Sequence, residues 1–410
     1  MTALGQGVRL LALTFADQLR EIQDSFVGRR EVVELLGIGA LCQEHVLVLG
    51  PPGTAKTRLI GRFCQLLDTQ PFSYLLTRFT EPTEIFGPID VASFRDESRY
   101  QINTKGMLPQ ARIAYLDEVF QGSSAILNTL LTLLNERTFR DGRLKPDGSP
   151  SDASTPLVTL VGSSNDIPSD PVLAAFSDRF LLRCRVRYVA PDQMEDVLHL
   201  GWKDERQQIR ERSAAPVMAG FDPQSRLRVT ISETDLQALQ QQVAEIDLSP
   251  IYAPYLEILR AIRGSGIKFS DRRAVKAQKV FAASALLSGR GEADMSDLRL
   301  LANLWTDDAD EDSMRRIVTD HGVPVEDPAS KPRELHDIID VDLLTIRTRL
   351  GQVTSEQELR KLARDAQHLA AELRRDYPAE DDSMKQLQVV QKEILTALRE
   401  RYPWRGTDYV

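Results

Sequence analysis

Residues 45–63 place three patterns in immediate succession, and together they leave the chain little freedom in how it can fold. His45-Val46-Leu47-Val48-Leu49 has the length and composition of a buried strand, GPPGTAKT follows at 50–57, and Arg58-Leu59-Ile60-Gly61-Arg62-Phe63 continues as a helix. A strand that passes through such a loop into a helix N-terminus turns a set of backbone amides toward one point and so forms a phosphate cradle. Gly50 and Gly53 permit close backbone approach. Pro51 and Pro52 stiffen the bend by fixing φ, and Thr54 and Ala55 complete the loop. Lys56 is placed to reach β- and γ-phosphates as a point charge, and the Thr57 hydroxyl to sit on Mg²⁺. Ala55 occupies the position of the usual last glycine, so a φ that an L-residue tolerates is expected there.

A second motif follows at a domain-scale distance. Arg112–Leu116 is a short apolar run of strand type, and it ends in Asp117-Glu118. Because a strand alternates faces, the two carboxylates can take different tasks. Asp117 is expected in the Mg²⁺ shell. Glu118 is expected to polarise an attacking water, a general-base role worth about 10²–10⁴ in rate.

Composition narrows the partners. The chain has 410 residues, enough for two or three domains, and a formal net charge of −9, which disfavours a mainly electrostatic nucleic-acid binder. Cys42, Cys64 and Cys184 are scattered without a CxxC spacing, so neither a disulfide framework nor a zinc site follows, and buried thiols are expected. No signal-peptide pattern opens the sequence and no apolar run would span a bilayer. The expected location is the cytoplasm.

Apolar runs then alternate with helical patterns: Phe72–Leu76, a helix over Ser123–Arg137, Leu157–Gly162 and Phe180–Val186. This alternation predicts an α/β fold with a parallel sheet and a ligand at the strand C-termini. Residues 86–109 read as a β-hairpin insert turning at Arg95-Asp96-Glu97-Ser98, and the turn-rich stretch 138–156 reads as a second hairpin or loop. After Tyr188 the pattern is mostly helical, with a shortened capping box at Ser232 and Asp235. The predicted domains are an α/β nucleotide-binding domain at 1–188, an all-α lid at 189–306, and a linker with a helical C-terminal region at 307–410. The acidic DDADED begins the linker, placed at 307–332. In the tail, Ser355 and Glu358 suggest a capping box. Leu359, Leu362, Ala366, Leu369 and Leu373, then Leu387, Val390, Ile394 and Ala397, predict a helical hairpin broken near Pro378.

With these elements assigned, the chain resembles the AAA+ P-loop ATPases of the MoxR group, and looks closest to the RavA-like branch. The resemblance rests on GPPGTAKT, LTRFTEPTEIFGPIDV, RYQINTKGMLPQARIAYLDEVF, ILNTLLTLLNERTF and SDRR followed by SGR, and covers about residues 25–290. Alanine before the lysine is itself a MoxR habit. A RavA-type β-rich insertion module is not evident. The resemblance implies that Val27 and Gly28 lie along an adenine, that Asn165 acts as sensor 1, and that Arg179 in FSDRF is an arginine finger supplied to a neighbouring subunit. It implies sensor 2 at Arg272, with Arg273 as the alternative, and suggests by position that Glu136 helps place the finger. The two inserts correspond to the helix-2 and pre-sensor-1 inserts, which in this clade face a central pore. ATP and Mg²⁺ are the implied cofactors. A finger acting in trans requires an assembly, and the family suggests a hexameric ring.

The implied function is chaperone-like remodelling, assembly or metal-cofactor maturation of protein clients, together with a von Willebrand factor A partner. A competing reading is a nucleic-acid motor, with Arg95, Arg99, Lys105, Arg140, Arg143 and Lys145 lining a basic pore; the acidic balance argues against it. A chelatase-type subunit and a nucleotide switch with little turnover also compete.

Overall fold

The structure is a computed structural model describing residues 4–97, 100–144, 151–168, 170–189, 194–213, 230–325 and 381–401, with scattered positions between 343 and 370. The chain divides into two units, residues 1–325 and 326–410.

In the first unit, helices α1 (Gln6–Ser25) and α2 (Arg30–Cys42) precede β1 (His45–Leu49), α3 (Lys56–Leu66) and β2 (Phe72–Leu75). After α4 (Pro82–Phe86) and α5 (Val91–Glu97) come β3 (Ile113–Asp117), α6 (Ser124–Glu136), the pair β4 (Thr138–Phe139) and β5 (Ala153–Ser154), β6 (Thr159–Ser164), α7 (Pro171–Ser177) and β7 (Phe180–Arg185). Five strands form one sheet in the order β2-β3-β6-β1-β7, and every neighbouring pair is parallel. All five coincide with the apolar runs of the sequence. β1 and β6 are buried along their whole length, which is why they read as continuous apolar or small-residue runs instead of alternating ones. Parallel strands bring all C-terminal ends to one edge. That edge carries the phosphate loop after Leu49, the Asp117-Glu118 pair and Asn165.

The helical part consists of α8 (Met194–Ser213), α9 (Glu233–Val243), α10 (Tyr252–Gly264) and α11 (Asp271–Leu287), followed by a 3₁₀ segment at Met295–Asn303 and α12 (Glu311–Asp320). The capping box opens α9: Ser232 accepts from the Asp235 amide and Asp235 accepts in return from the Ser232 amide. Apolar residues of α9, α10, α11 and α12 join those of α1, α2 and the sheet in one core.

Two expectations change. Residues 307–325 are not a linker. Met314, Val318 and Val323 are buried in the first core, and the acidic run meets Arg185 at the end of β7. The boundary between the two units therefore falls after Val325. The first insert is not a plain hairpin: Ile89 and Ile102 form one antiparallel bridge, but the chain between them turns through α5. Asp90 explains why, since its carboxylate accepts from the amides of Ala92 (3.0 Å) and Ser93 (3.4 Å) and so starts a helix in what otherwise reads as strand. The second insert does pair as a hairpin, with Thr138 opposite Ser154 and Phe139 opposite Ala153. The two inserts meet. The Ile102 amide donates to Asp141 O at 2.8 Å, and a Cβ on Gly142 (φ 88°) would lie 1.9 Å from Tyr100 O, so only glycine fits the crossing.

In the second unit, α13 (Asp381–Arg401) buries Leu387, Val390 and Ile394 against Leu359, Leu362, Ala366 and Leu369, as the tail spacing suggests. Ser355, Glu358, Leu373 and Pro378 lie outside the described residues, as do Arg99 and Lys145. Cys42, Cys64 and Cys184 are free and buried. Among the described residues no helix is long and apolar enough to cross a membrane.

Candidate active site

The phosphate loop leaves β1 at Gly50, whose φ of 146° and close approach to Val186 O (2.2 Å from an added Cβ) admit no side chain. Gly53 is also left-handed, at φ 79°. Ala55 departs from expectation: it sits at φ 61°, ψ 21°, in the left-handed region that an L-residue enters at a cost of about 1–2 kcal/mol. The loop is braced from within and from behind. Thr54 Oγ1 donates to Pro51 O at 3.0 Å, and the buried Arg29 donates through Nε to Thr54 O at 3.2 Å and through Nη1 to Gly28 O at 3.0 Å. Arg29 thereby joins the Val27-Gly28 segment to the loop, a role the sequence did not disclose. Pro52 and Thr57 are exposed beside it.

The Lys56 ammonium donates to Gly50 O at 2.6 Å and to Pro51 O at 3.3 Å. Partial burial pulls its pKa below the ordinary lysine value, against the opposing pull of Asp117 and Glu118. Asp117 ends β3 beside β6, where Ser163 donates to its Oδ1 in a short bond and the Glu118 amide donates to the same oxygen at 3.1 Å. Glu118 turns away at φ 51°, and Asn165 Nδ2 approaches its Oε1 at 3.5 Å. The three elements that carry Lys56, the Asp117-Glu118 pair and Asn165 thus converge at one sheet edge.

Tyr115 went unnoticed in the sequence. It lies two residues before Asp117, on the same strand face, with its hydroxyl 3.0 Å from Ser163 Oγ and 3.4 Å from Thr57 Oγ1. Burial raises its pKa, so the phenol keeps its proton. A tyrosine inside an aliphatic strand was the available signal.

Arg185 was likewise missed. It closes β7 level with Leu49, pairs with Asp308 and with Glu311 (3.3 Å), and reaches Asp166, next to Asn165, at 3.8 Å.

The remaining candidates lie at the opposite edge. Arg179 precedes β7, and its Nη1 is 3.8 Å from Asp178 Oδ2. Its Nε is buried without a hydrogen-bond partner among the described residues. Arg272 donates to Asn135 Oδ1 at 3.0 Å, beside Glu136 at the end of α6. The adjacent Leu134 O contacts the His45 ring at 3.2 Å, which places this group at the start of β1. Five residues of strand, about 16 Å, separate that level from the phosphate loop. The structure therefore brings neither Arg179 nor Arg272 to the phosphate loop of its own chain. Arg273, the alternative for sensor 2, is a structural strut: buried, it pairs with Asp178 at 2.9 Å and donates to Leu181 O at 3.1 Å and Leu304 O at 3.0 Å.

A five-stranded parallel sheet with a phosphate loop after its β1 strand, an acidic pair at the end of β3 and an all-helical lid define a P-loop ATPase of the AAA+ class. Comparison with known proteins agrees. Residues 13–219 match the family described as the MoxR domain in MoxR–vWA–beta-propeller ternary systems, and residues 254–318 match an AAA lid domain. An uncharacterized protein of Methanocaldococcus jannaschii is 34% identical over 71% of this chain and 70% of its own length. The chaperone MoxR1 of Mycobacterium tuberculosis is 25% identical over 47% of this chain and 50% of its own. The crystal structure of a candidate ATPase from Cytophaga hutchinsonii superposes with a TM-score of 0.55 at 16% identity, over 76% of this chain and 95% of that one, a likeness of fold. The chain belongs to the MoxR family of AAA+ ATPases.

Proposed function

We propose that the chain is a magnesium-dependent ATPase that works as a ring and couples hydrolysis to remodelling protein clients. The separation of Arg179 from its own phosphate loop carries this reading. A basic group at the far sheet edge can meet a leaving phosphate only if another subunit presents that phosphate. Arg179 then serves as the finger in trans, a contribution of about 10³–10⁵ in turnover. Arg272, at the same edge, acts on the same neighbouring site. Head-to-tail contacts that close make a ring, and six subunits is the family number.

In each site the loop amides of Gly53, Thr54 and Ala55, together with Lys56, hold the triphosphate, with Val27 and Gly28 along the base. The oxygen donors present suit Mg²⁺: the Thr57 hydroxyl and the Asp117 carboxylate are linked through Tyr115 and Ser163, and among the described residues no cluster of three or more His, Cys, Asp or Glu competes as a transition-metal site. The cation, when bound, neutralises charge on the β- and γ-oxygens. Glu118 orients and deprotonates the attacking water, and Asn165, beside Glu118 Oε1, fixes both.

The family description supports a von Willebrand factor A protein as partner. The kinship to the RavA-like branch rests on motif order alone. Protein clients suit the inserts better than nucleic acid does. Arg140 pairs with Asp152 and Arg143 with Asp141, whereas Val91 (73% exposed) and Phe94 present apolar surface.

Subunit mixing tests the proposal. Lys56→Ala is expected to lose nucleotide binding, Glu118→Gln to bind without turnover, and Arg179→Ala to bind with little turnover. Mixing Lys56→Ala with Arg179→Ala should restore activity, because an intact loop then meets an intact finger. A wild-type monomer that hydrolyses ATP at full rate, or mixtures that stay inactive while both variants co-assemble, would refute it.

A further inference from the structure

Three hydroxyl and carboxylate contacts run in series from the phosphate loop to the acidic pair: Thr57 Oγ1 to Tyr115 OH (3.4 Å), Tyr115 OH to Ser163 Oγ (3.0 Å), and Ser163 Oγ to Asp117 Oδ1. The chain joins α3, β3 and β6, and its two ends are the two residues read above as holding the cation.

Elementary hydrogen-bond accounting fixes the direction of every proton. An ionised carboxylate only accepts, so Ser163 must donate to Asp117. A serine hydroxyl has one proton, so in its contact with Tyr115 it must accept, and the phenol donates. Tyr115 has then committed its own proton, so in its contact with Thr57 it accepts, and the threonine donates. The result is one-way polarity: Thr57 to Tyr115 to Ser163 to Asp117.

This polarity has a consequence at each end. At Thr57 the proton is drawn toward the protein interior, which leaves the oxygen lone pairs facing the phosphate side. At Asp117 the serine and the Glu118 amide (3.1 Å) both fall on Oδ1, which leaves Oδ2 for the water shell of a cation. Tyr115 is 2% exposed and Ser163 fully buried, so bulk water does not compete for the bond between them. A buried polar network satisfied at each member holds its geometry well.

We propose that Tyr115 and Ser163 are positioning residues that set the cation-binding lone pairs of Thr57 and Asp117. The proposal rests on the reading of this site as a Mg²⁺–nucleotide site. Neither residue touches the nucleotide. Their effect appears in how strongly the cation and the nucleotide reinforce each other's binding, and outer partners of this kind are worth about 10–100-fold in metal affinity.

The test measures binding without turnover. The affinity of full-length chain for the non-hydrolysable analogue AMP-PNP is determined by calorimetry with EDTA and again with Mn²⁺, and the ratio gives the metal's contribution. The Mn²⁺ electron paramagnetic resonance signal reports cation occupancy directly. For Tyr115→Phe, which keeps the ring in the core, the ratio is expected to fall about tenfold while the EDTA affinity stays at the wild-type value. Ser163→Ala should fall similarly, and Ser163→Thr, which keeps the hydroxyl, should retain most of the ratio. Because both residues belong to one network around Asp117, Tyr115→Phe added to Ser163→Ala should cost less than the sum of the two singles. A wild-type ratio in both single variants overturns the proposal, and so does a loss equal with and without Mn²⁺. If wild type itself showed no Mn²⁺ enhancement, the Mg²⁺–nucleotide reading would fall first and take the proposal with it.

Discussion

Replacing the neighbours Arg272 and Arg273 by alanine, one at a time, should separate two roles that the sequence could not tell apart. Arg273 is 3% exposed and its guanidinium is shared among Asp178, Leu181 O and Leu304 O. Truncation strands two buried carbonyls at about 1–3 kcal/mol each. The ion pair adds under about 1 kcal/mol, because Asp178 is 38% exposed and solvent screens it. The total is about 2–7 kcal/mol. With a urea slope of about 3 kcal/mol/M, the unfolding midpoint followed by circular dichroism should fall by about 0.7–2.3 M. Arg272 makes one exposed bond, to Asn135, so Arg272→Ala should shift stability by no more than about 0.5 kcal/mol. Its effect should appear instead as lost turnover in the assembled protein. Arg273→Lys should recover little, since one ammonium cannot span the three acceptors. Equal midpoints for the two alanine variants, or a wild-type midpoint for Arg273→Ala, would refute the assignment of Arg273 as a strut.

Three further outcomes are expected. His45 is buried, accepting from the Leu160 amide on Nδ1 at 3.0 Å, and burial holds its pKa well below 6.5. The unfolded chain therefore takes up a proton below about pH 6.5 that the folded chain refuses. Stability is fully present above that pH and falls on acidification with a slope approaching about 1.4 kcal/mol per pH unit, a slope that His45→Gln should remove in urea titrations between pH 7 and 5. Ala55→Gly relieves a left-handed alanine while loosening the unfolded chain, so its unfolding free energy from urea titration should stay within about 1 kcal/mol of wild type; a larger loss would mean the methyl makes contacts of its own. Single- or double-stranded DNA should leave the ATPase rate unchanged, and a salt-sensitive stimulation would restore the nucleic-acid motor.

The sheet and the phosphate end were legible because their signals are local. A buried parallel strand is an unbroken apolar run, and a glycine loop before a helix names its own geometry. The sites that were missed depend on register instead. Ser163 reaches Asp117 only because β6 lies beside β3, and nothing in VGSSND or IAYLDE announces that pairing. The acidic run at 307–312 looked like a linker because charge density usually marks solvent; its actual partner, Arg185, is more than a hundred residues earlier. The first insert failed for a smaller reason: Asp90 can either continue a strand or cap a helix, and here its carboxylate takes the amides of the following turn. Sensor 2 was ambiguous because SDRR offers two adjacent arginines, and only the packing of α11 against β7 decides which one is buried.

The two sheet edges also suggest how a change in one subunit reaches the next. Arg273 extends from α11 of the lid to the carbonyl of Leu304, to β7 at Leu181, and to Asp178 Oδ1. The other oxygen of Asp178 faces Arg179 Nη1 at 3.8 Å. A single carboxylate thus lies between the strut that fixes the lid and Arg179, the finger proposed above. The lid is tied to the phosphate edge as well, since Asp308 and Glu311 pair with Arg185, which reaches Asp166 beside Asn165. A lid that shifts when nucleotide binds cannot do so without loading both contacts. Packed elements respond to such loads in discrete steps, because a close-packed core does not deform continuously. In the ring proposed above, the lid would read its own site through Arg185 and report to the adjoining site through Asp178, and the order of hydrolysis would follow from rigid packing without any flexible relay.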